Sequence, residues 1–312
     1  MYKGYITDID GIKIGHAQNF EAGTGLTVLI PPKNNTCAVE VRGSAPGTRE
    51  TDLLDPINTV ESVNALILSG GSAYGLDAAS GVMESLEEDG IGLDVGVGIV
   101  PIVPQAVLFD LAYKNPKIRP DKNMGKVAYK NAKADEYRQG IIGAGTGATV
   151  GKILGMDCVM KSGLGSATIS EGDLKVSAIV AVNAFGDVFD YEKGIQIAGP
   201  IKDGNMIKTT DVMANIMNDF SDIANKNTTI GIVATNASFD KTKLKKIAQM
   251  CHDGFARSIN PVHTGFDGDT IFSLATNEIH ADLNIIGVMA ANAMSRAIAN
   301  AIYHTKSQKS ID

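Results

Sequence analysis

The stretch of this 312-residue chain with the most chemical potential is Asn227-Thr228-Thr229, three small polar residues at the mouth of the apolar, β-branched run Ile230 to Ala234. A threonine hydroxyl is a weak nucleophile until a base stands beside it. One solution uses the threonine's own α-amino group, freed when the peptide bond before it is cut. A small residue ahead of the threonine, a polar linker upstream and a strand after it all suit such a cut. The same residues also read as an ordinary turn into a strand, because asparagine favours turns. On this stretch alone both readings stand.

Other chemistries find less support. Gly143 to Ala148, GAGTGA, matches the dinucleotide pattern G-x-G-x-x-A. It lacks both the preceding strand and the acidic residue about 20 positions on that the fingerprint needs. As a phosphate loop, the span from Gly145 to Gly151-Lys152 is one residue too long, and Ile153 stands where a serine or threonine is required. These glycines read instead as packing between layers or as the backbone wall of a substrate pocket. His16, His252, His263, His280 and His304 lack metal-ligand spacing. No G-x-S-x-G elbow is present. Neither a metal nor a cofactor is expected.

A net charge of −7 with scattered Lys and Arg argues against a nucleic-acid surface. The densest basic run, Lys241 to Lys246, reads as the solvated start of a helix. Cys37, Cys158 and Cys251 lie far apart, as structural thiols of a reducing cytosol would. The N-terminus lacks a signal-peptide pattern, so a cytoplasmic location is expected. Ile285 to Ile302 is apolar but carries Asn292, Ser295, Arg296 and Asn300, which fits a buried or interface helix better than a membrane span.

The elements that must hold these residues follow from composition and periodicity. With 34 glycines, no tryptophan and 5% aromatics, the core is built from Ala, Val, Ile, Leu and Gly, which lets layers of an α/β architecture approach closely. Strands are predicted over Thr24 to Ile30 and Cys37 to Gly43. A third ends at Gly70-Gly71 and runs into a helix with Ala78, Ala79, Val82, Met83 and Leu86 facing inward. Pro101 and Pro104 predict extended segments and turns over Ile91 to Leu111. Helical spacing appears around Lys126 to Ala134, and Gly186-Asp187 predicts a hairpin around Ala184 to Asp187. Ile207 to Asn227 is a weakly helical surface segment or linker. After the strand Ile230 to Ala234, Asp240 is a helix N-cap ahead of Leu244, Ile247, Ala248, Cys251 and Phe255. A loop, NPVHTGFDGD, a strand, TIFSLAT, and a C-terminal helix complete the chain.

Taken together, ITDIDGIKIGHAQN, VRGSAPGTRETDLL, LSGGSAYGLDAASGV, GAGTGATVGK, MKSGLGSA, VAVNAFGDV, NTTIGIVATNA and FDGDTIFSLAT cover nearly the whole chain. In these motifs it closely resembles the DmpA-like family of N-terminal-nucleophile hydrolases, which includes L-aminopeptidase/D-esterases, β-peptidyl aminopeptidases and nylon-oligomer (6-aminohexanoate oligomer) hydrolases. The Asn-Thr junction and the FDGD aspartates look most like the nylon-oligomer branch. The resemblance implies a single catalytic domain over residues 1–312, with the four-layer α/β/β/α sandwich of the DmpA/ornithine acetyltransferase type. It also implies self-cleavage into 1–227 and 228–312, and a homotetramer of the cleaved units.

Carried over by position, Thr228 is the implied nucleophile, with Thr229 its adjacent rival and Asn227-Thr228 the cleavage site. Asp267 and Asp269 match the acidic pair that orients the hydroxyl and α-amino group, Asn183 the oxyanion-stabilising amide, and Lys161 the lysine near the nucleophile. Tyr74, Gly145 and Thr146 are implied as pocket wall. The implied activity is a threonine amidohydrolase acting on small amides, short peptides or linear oligoamides. The alternatives are acyl transfer like that of ornithine acetyltransferase, or an uncleaved binding protein.

Overall fold

A strand covered on both faces must be apolar on both faces, and Ile230 to Ala237 is buried at every position. In the computed structural model, which describes residues 1–215 and 227–309, it lies at the centre of a layered molecule. The main elements in chain order are β1 (Lys13–Asn19), β2 (Thr24–Ile30), β3 (Thr36–Val41), β4 (Gly47–Arg49), β5 (Leu66–Ser69), α1 (Ala78–Glu88), β6 (Gln105–Val107), α2 (Lys122–Lys130), β7 (Leu164–Glu171), β8 (Leu174–Ala181), β9 (Ile230–Ala237), α3 (Lys241–Ser258), β10 (Thr270–Ile279) and α4 (Leu283–Lys309).

The strands form two mixed five-stranded sheets, ordered β1-β2-β5-β6-β4 and β7-β8-β9-β10-β3. Each contains a single parallel pair, β5 with β6 and β9 with β10. Side-chain alternation sorts the core into three slabs. Ile230, Ile232 and Ala234 meet Ile14, Leu29, Leu66 and Leu68 between the sheets. Val233 and Ala237, on the other face of β9, pack with Leu244, Ile247 and Cys251 of α3 and Met294 and Ala297 of α4. Leu26, Val28 and Ile67 of the first sheet pack under Ala78, Ala79 and Val82 of α1 and Ala128 of α2. Three slabs between four layers make the α/β/β/α sandwich that the motifs imply. Burying Ile230 and Ile232 contributes about 2 kcal/mol each.

Small residues set the layer spacing. A Cβ at Gly165 of β7 would lie 2.0 Å from the Ala297 carbonyl oxygen of α4, so helix and strand touch backbone to backbone. By length and composition α4 could cross a membrane, yet 78% of its most apolar window is buried inside the protein.

Local signals placed most elements. Asp240 caps α3, its carboxylate accepting the Lys243 N–H at 2.8 Å. The helix predicted around Lys126 to Ala134 instead runs from Lys122 to Lys130, because Asp121 caps it through the Met124 N–H at 2.8 Å. The hairpin predicted around Ala184 to Asp187 does not form. β8 pairs with β7 and β9, while Asp187–Asp190 pairs with Ile195–Ala198 and Ile259–Asn260 in a separate ribbon. The Gly186-Asp187 signal marks a change of sheet rather than a reversal within one. Of the weakly helical segment, Thr209–Met213 is helix, and 216–226 lie outside the described residues.

Candidate active site

Parallel neighbours begin at the same edge of a sheet, so the pairing of Ile230 with Thr270 sets the residues before β9 and β10 side by side. Asp269 accepts the Thr229 N–H at 2.8 Å through one carboxylate oxygen. Its other oxygen accepts the His263 N–H at 3.2 Å and lies 2.8 Å from His263 Nδ1. Asp267 accepts the Thr264 N–H at 2.9 Å and the Thr264 hydroxyl at 2.7 Å. The loop is pinned to the end of β3, where Arg42 donates its N–H to the Asp269 carbonyl at 3.0 Å and Ala45 to that of Asp267 at 2.9 Å. Between the carboxylates stands Gly268. A Cβ there would lie 2.8 Å from Thr228 Oγ1 and 2.6 Å from the Ala45 carbonyl oxygen, so a bare backbone lets the hydroxyl approach.

Thr228 is buried, and its hydroxyl donates to the carbonyl of Asn227, the residue before it. Its N–H donates to the Asn183 carbonyl at 2.9 Å. The Lys152 ammonium reaches that same carbonyl at 3.3 Å and the Asn183 side-chain oxygen at 2.8 Å. The Asn183 amide is fully buried. Its oxygen also accepts the Thr149 N–H at 3.1 Å, and its NH2 donates to the Phe109 carbonyl at 3.0 Å.

Burial penalises charge here. It pulls Lys152 down to about 7, against the opposing pull of Asp267 and Asp110. It pushes Asp267 up to about 6, and the neighbouring Asp269 charge adds to the rise. A buried hydroxyl thus sits among groups able to take or give a proton near neutrality.

Of the residues implied by the motifs, the structure brings Asn227, Thr228, Asn183, Asp267 and Asp269 together. The Lys161 charge acts on Asp110, which also acts on Lys152. Lys161 donates to the carbonyls of Gly145 at 2.9 Å and Ala148 at 2.7 Å, and stands 5.2 Å from the Tyr113 ring centroid. The lysine bonded to Asn183 is Lys152. Gly145 and Thr146 are buried in a turn packed against the Gly163-Leu164 backbone. Asn227 and Thr228 border a cleft of about 160 Å³ whose walls include Pro46, Ser72, Val107, Phe109 and Phe266. Tyr74 is exposed, with the Arg119 guanidinium 3.9 Å over its ring.

Two residues escaped the reading of the sequence. Lys152 closes GAGTGATVGK, where it counted only as part of a failed phosphate loop; a lone lysine amid glycine and aliphatic residues is the signal of a buried ammonium. His263 stands in the FDGD loop but matches no metal spacing, and its role follows only from its contact with Asp269.

Two face-to-face mixed sheets flanked by helices, with these residues gathered where two parallel strands begin, define the N-terminal-nucleophile hydrolase fold of the DmpA type. The fold matches the l-aminopeptidase d-ala-esterase/amidase of Ochrobactrum anthropi with a TM-score of 0.71 over 96% of this chain and 86% of that one, at 16% identity. A β-aminopeptidase from Burkholderia sp. matches with a TM-score of 0.70 over 95% and 85%, also at 16% identity. The family model of Peptidase family S58 matches residues 4–312. The chain is 37% identical to an uncharacterized aminopeptidase of Mycobacterium leprae, over 97% of this chain and 91% of that protein. It is 32% identical to a 6-aminohexanoate-oligomer endohydrolase of Paenarthrobacter ureafaciens, over 87% and 75%. The chain belongs to peptidase family S58, whose members are hydrolases of amide bonds.

Proposed function

We propose that the protein is a self-processing amidohydrolase whose nucleophile is Thr228. The observation that carries this reading is the buried Thr228 hydroxyl lying on the carbonyl of Asn227, beside two carboxylates and a lysine. In the first stage the hydroxyl oxygen attacks the Asn227 carbonyl carbon. The C–N bond to Thr228 breaks, the hydroxyl proton passes to the departing nitrogen, and an ester with a free α-amine forms. Water then opens the ester, giving the Asn227 carboxylate and restoring the hydroxyl.

In the second stage the freed α-amine takes the hydroxyl proton as Thr228 attacks a substrate amide, and returns it to the leaving amine. Water hydrolyses the resulting acyl-enzyme. Lys152 and Asp267 exchange protons near neutrality, and Asp269 fixes the start of β9 through the Thr229 N–H. Developing negative charge on the carbonyl oxygen calls for a hydrogen-bond donor, for which the Asn183 amide is our candidate; one such donor is worth about 3 kcal/mol of the barrier.

The substrates on this reading are short peptides or linear oligoamides, as the names of the aminopeptidase and endohydrolase relatives suggest. The working form is a homotetramer of cleaved units in the cytoplasm, a proposal that mass photometry of the purified protein tests. Intact mass under denaturing conditions, with N-terminal sequencing, tests the chemistry. A fragment beginning at Thr228 is expected, and Thr228→Ala abolishes both the fragment and the amidase activity. An active, cleaved Thr228→Ala protein would refute the reading.

A further inference from the structure

Gly147, the last glycine of GAGTGA, closes over a carboxylate. Asp110 lies just past β6 and is 5% exposed. One of its oxygens accepts the Gly71 N–H at 2.7 Å and the other the Thr24 hydroxyl at 2.7 Å. A Cβ at Gly147 would lie 2.6 Å from that second oxygen, and one at Gly70 would overlap it, so only bare backbone leaves room for the group.

Its neighbours tie Asp110 to the junction at Thr228. Through Gly71 it fixes the turn into Ser72 and Ala73, and the Ser72 N–H donates to the Leu108 carbonyl at 3.0 Å. The carbonyl of Phe109, the residue before it, accepts from the Asn183 amide at 3.0 Å. Ser72, Ala73 and Phe109 all line the cleft. Asp110 also lines a cavity of about 10 Å³ with Lys152, Thr149 and Tyr113. That space holds at most about one water, so the Asp110 and Lys152 charges meet with little solvent to screen them.

Lys152 is buried, and its ammonium donates to the Asn183 carbonyl and side-chain oxygen, both uncharged. A charge held so deep is stabilised by opposite charge nearby. Each sheet supplies one: Asp267 from the loop before β10, with Asp269 beside it, and Asp110 from the end of β6. Tyr113 joins the same cavity as a neutral phenol, its titration raised by burial. Burial also raises Asp110, opposed first by its bonds to Thr24 and Gly71 and then by the Lys161 charge.

Resting on the reading of Thr228 as nucleophile, we infer that Asp110 is a positioning residue for self-cleavage, the fixed counter-charge that keeps Lys152 an ammonium at the Asn227-Thr228 junction. That ammonium shares the Asn183 carbonyl with the Thr228 N–H. It therefore stands one oxygen away from the nitrogen that must gain a proton when its bond to Asn227 breaks.

Asp110→Asn isolates the charge, because an amide can still accept the Gly71 N–H and donate to the Thr24 hydroxyl oxygen. Precursor from cell-free synthesis is transferred to buffers spanning neutral pH, and intact mass follows the fragment that begins at Thr228. With the ammonium as the working form, the rate falls as pH rises through the Lys152 titration. Without the Asp110 charge Lys152 gives up its proton sooner, so that fall should move down by about one pH unit, which is about tenfold slower cleavage on the alkaline side. A structural Asp110 predicts no movement, and a folded Asp110→Asn protein whose profile superposes on that of the unaltered protein overturns the inference. If the variant does not fold, the carbon NMR signal of the Asp110 carboxyl in the uncleaved Thr228→Ala protein decides: an ionised group at neutral pH is expected, and a protonated one overturns the counter-charge. Cleavage at Thr228 with an unshifted profile removes only the role of Asp110, whereas unaltered protein that is never cut there removes Thr228 and Asp110 together.

Discussion

Lys152 and Lys161 are both buried lysines of one short segment, and both spend their ammonium groups on carbonyl oxygens. Lys161 donates to the Gly145 and Ala148 carbonyls, and its charge acts on Asp110. Lys152 shares its oxygens with the Thr228 N–H through Asn183 and feels the fields of Asp267 and Asp110. The first arrangement ties a turn together, whereas the second leaves a proton poised near neutrality beside the Asn227-Thr228 junction. The two lysines differ in the company of their partners rather than in their depth.

Substitution should break this comparison cleanly. Beyond the complete loss expected of Thr228→Ala, the largest effect is that of Lys152→Met, which should slow self-cleavage by about a hundredfold or more, the scale of losing an oriented charge at a reacting centre. Lys161→Met should leave the cleavage rate of folded protein close to normal but lower the melting temperature, because buried carbonyls left unpaired cost about 1–3 kcal/mol each. Time courses of fragment appearance and thermal melts separate the two. A Lys161→Met protein that melts normally but does not cleave would reverse the assignment.

Gly268→Ala should come next. Its methyl would stand 2.8 Å from the Thr228 hydroxyl oxygen, so cleavage should slow by about tenfold, a displacement of the reacting atom rather than a loss of charge. A far-ultraviolet spectrum unchanged by the substitution would separate that effect from unfolding.

The smallest effects are on stability against pH, best read in the uncleaved Thr228→Ala background. Burial lowers Lys152 to about 7 from the ordinary 10.5, so across that window the unfolded chain binds the proton more tightly and stability rises with pH. Asp267 is raised to about 6 from 3.8; there the folded chain binds the proton more tightly, and stability falls as pH rises through that window. Urea midpoints should therefore lose the alkaline-side rise in Lys152→Met and the acid-side fall in Asp267→Asn. Unchanged slopes in either variant would show that the group titrates normally in the folded chain.

Where a signal is local, the sequence carried it. β2 occupies Thr24–Ile30 as its apolar run predicts, and Asp240 caps α3. The cap at Asp121 moved α2 toward the N-terminus, and its Asp-x-x-Met pattern is too common to have been decisive. The hairpin at Gly186-Asp187 failed because strand pairing is a non-local choice: a turn signal marks where the chain bends and not which strand receives it. The motif resemblance identified the family and four-layer fold correctly, and it selected Thr228 and four of the residues that gather around it, Asn227, Asn183, Asp267 and Asp269. It missed Lys152, which no spacing rule distinguishes from Lys161.

By itself, then, the sequence determined the layered α/β core, through the period of its apolar residues and its small side chains, and it marked Asn227-Thr228 as a junction able to do chemistry. Only the tertiary structure decided which groups serve that junction. The parallel pairing of β9 with β10 carries the Asp267 to Asp269 loop to Thr228, and the bend after β8 presents Asn183 to Lys152. A side chain's protonation depends on burial and on charges met through space, and those are properties of the folded neighbourhood rather than of the order of residues.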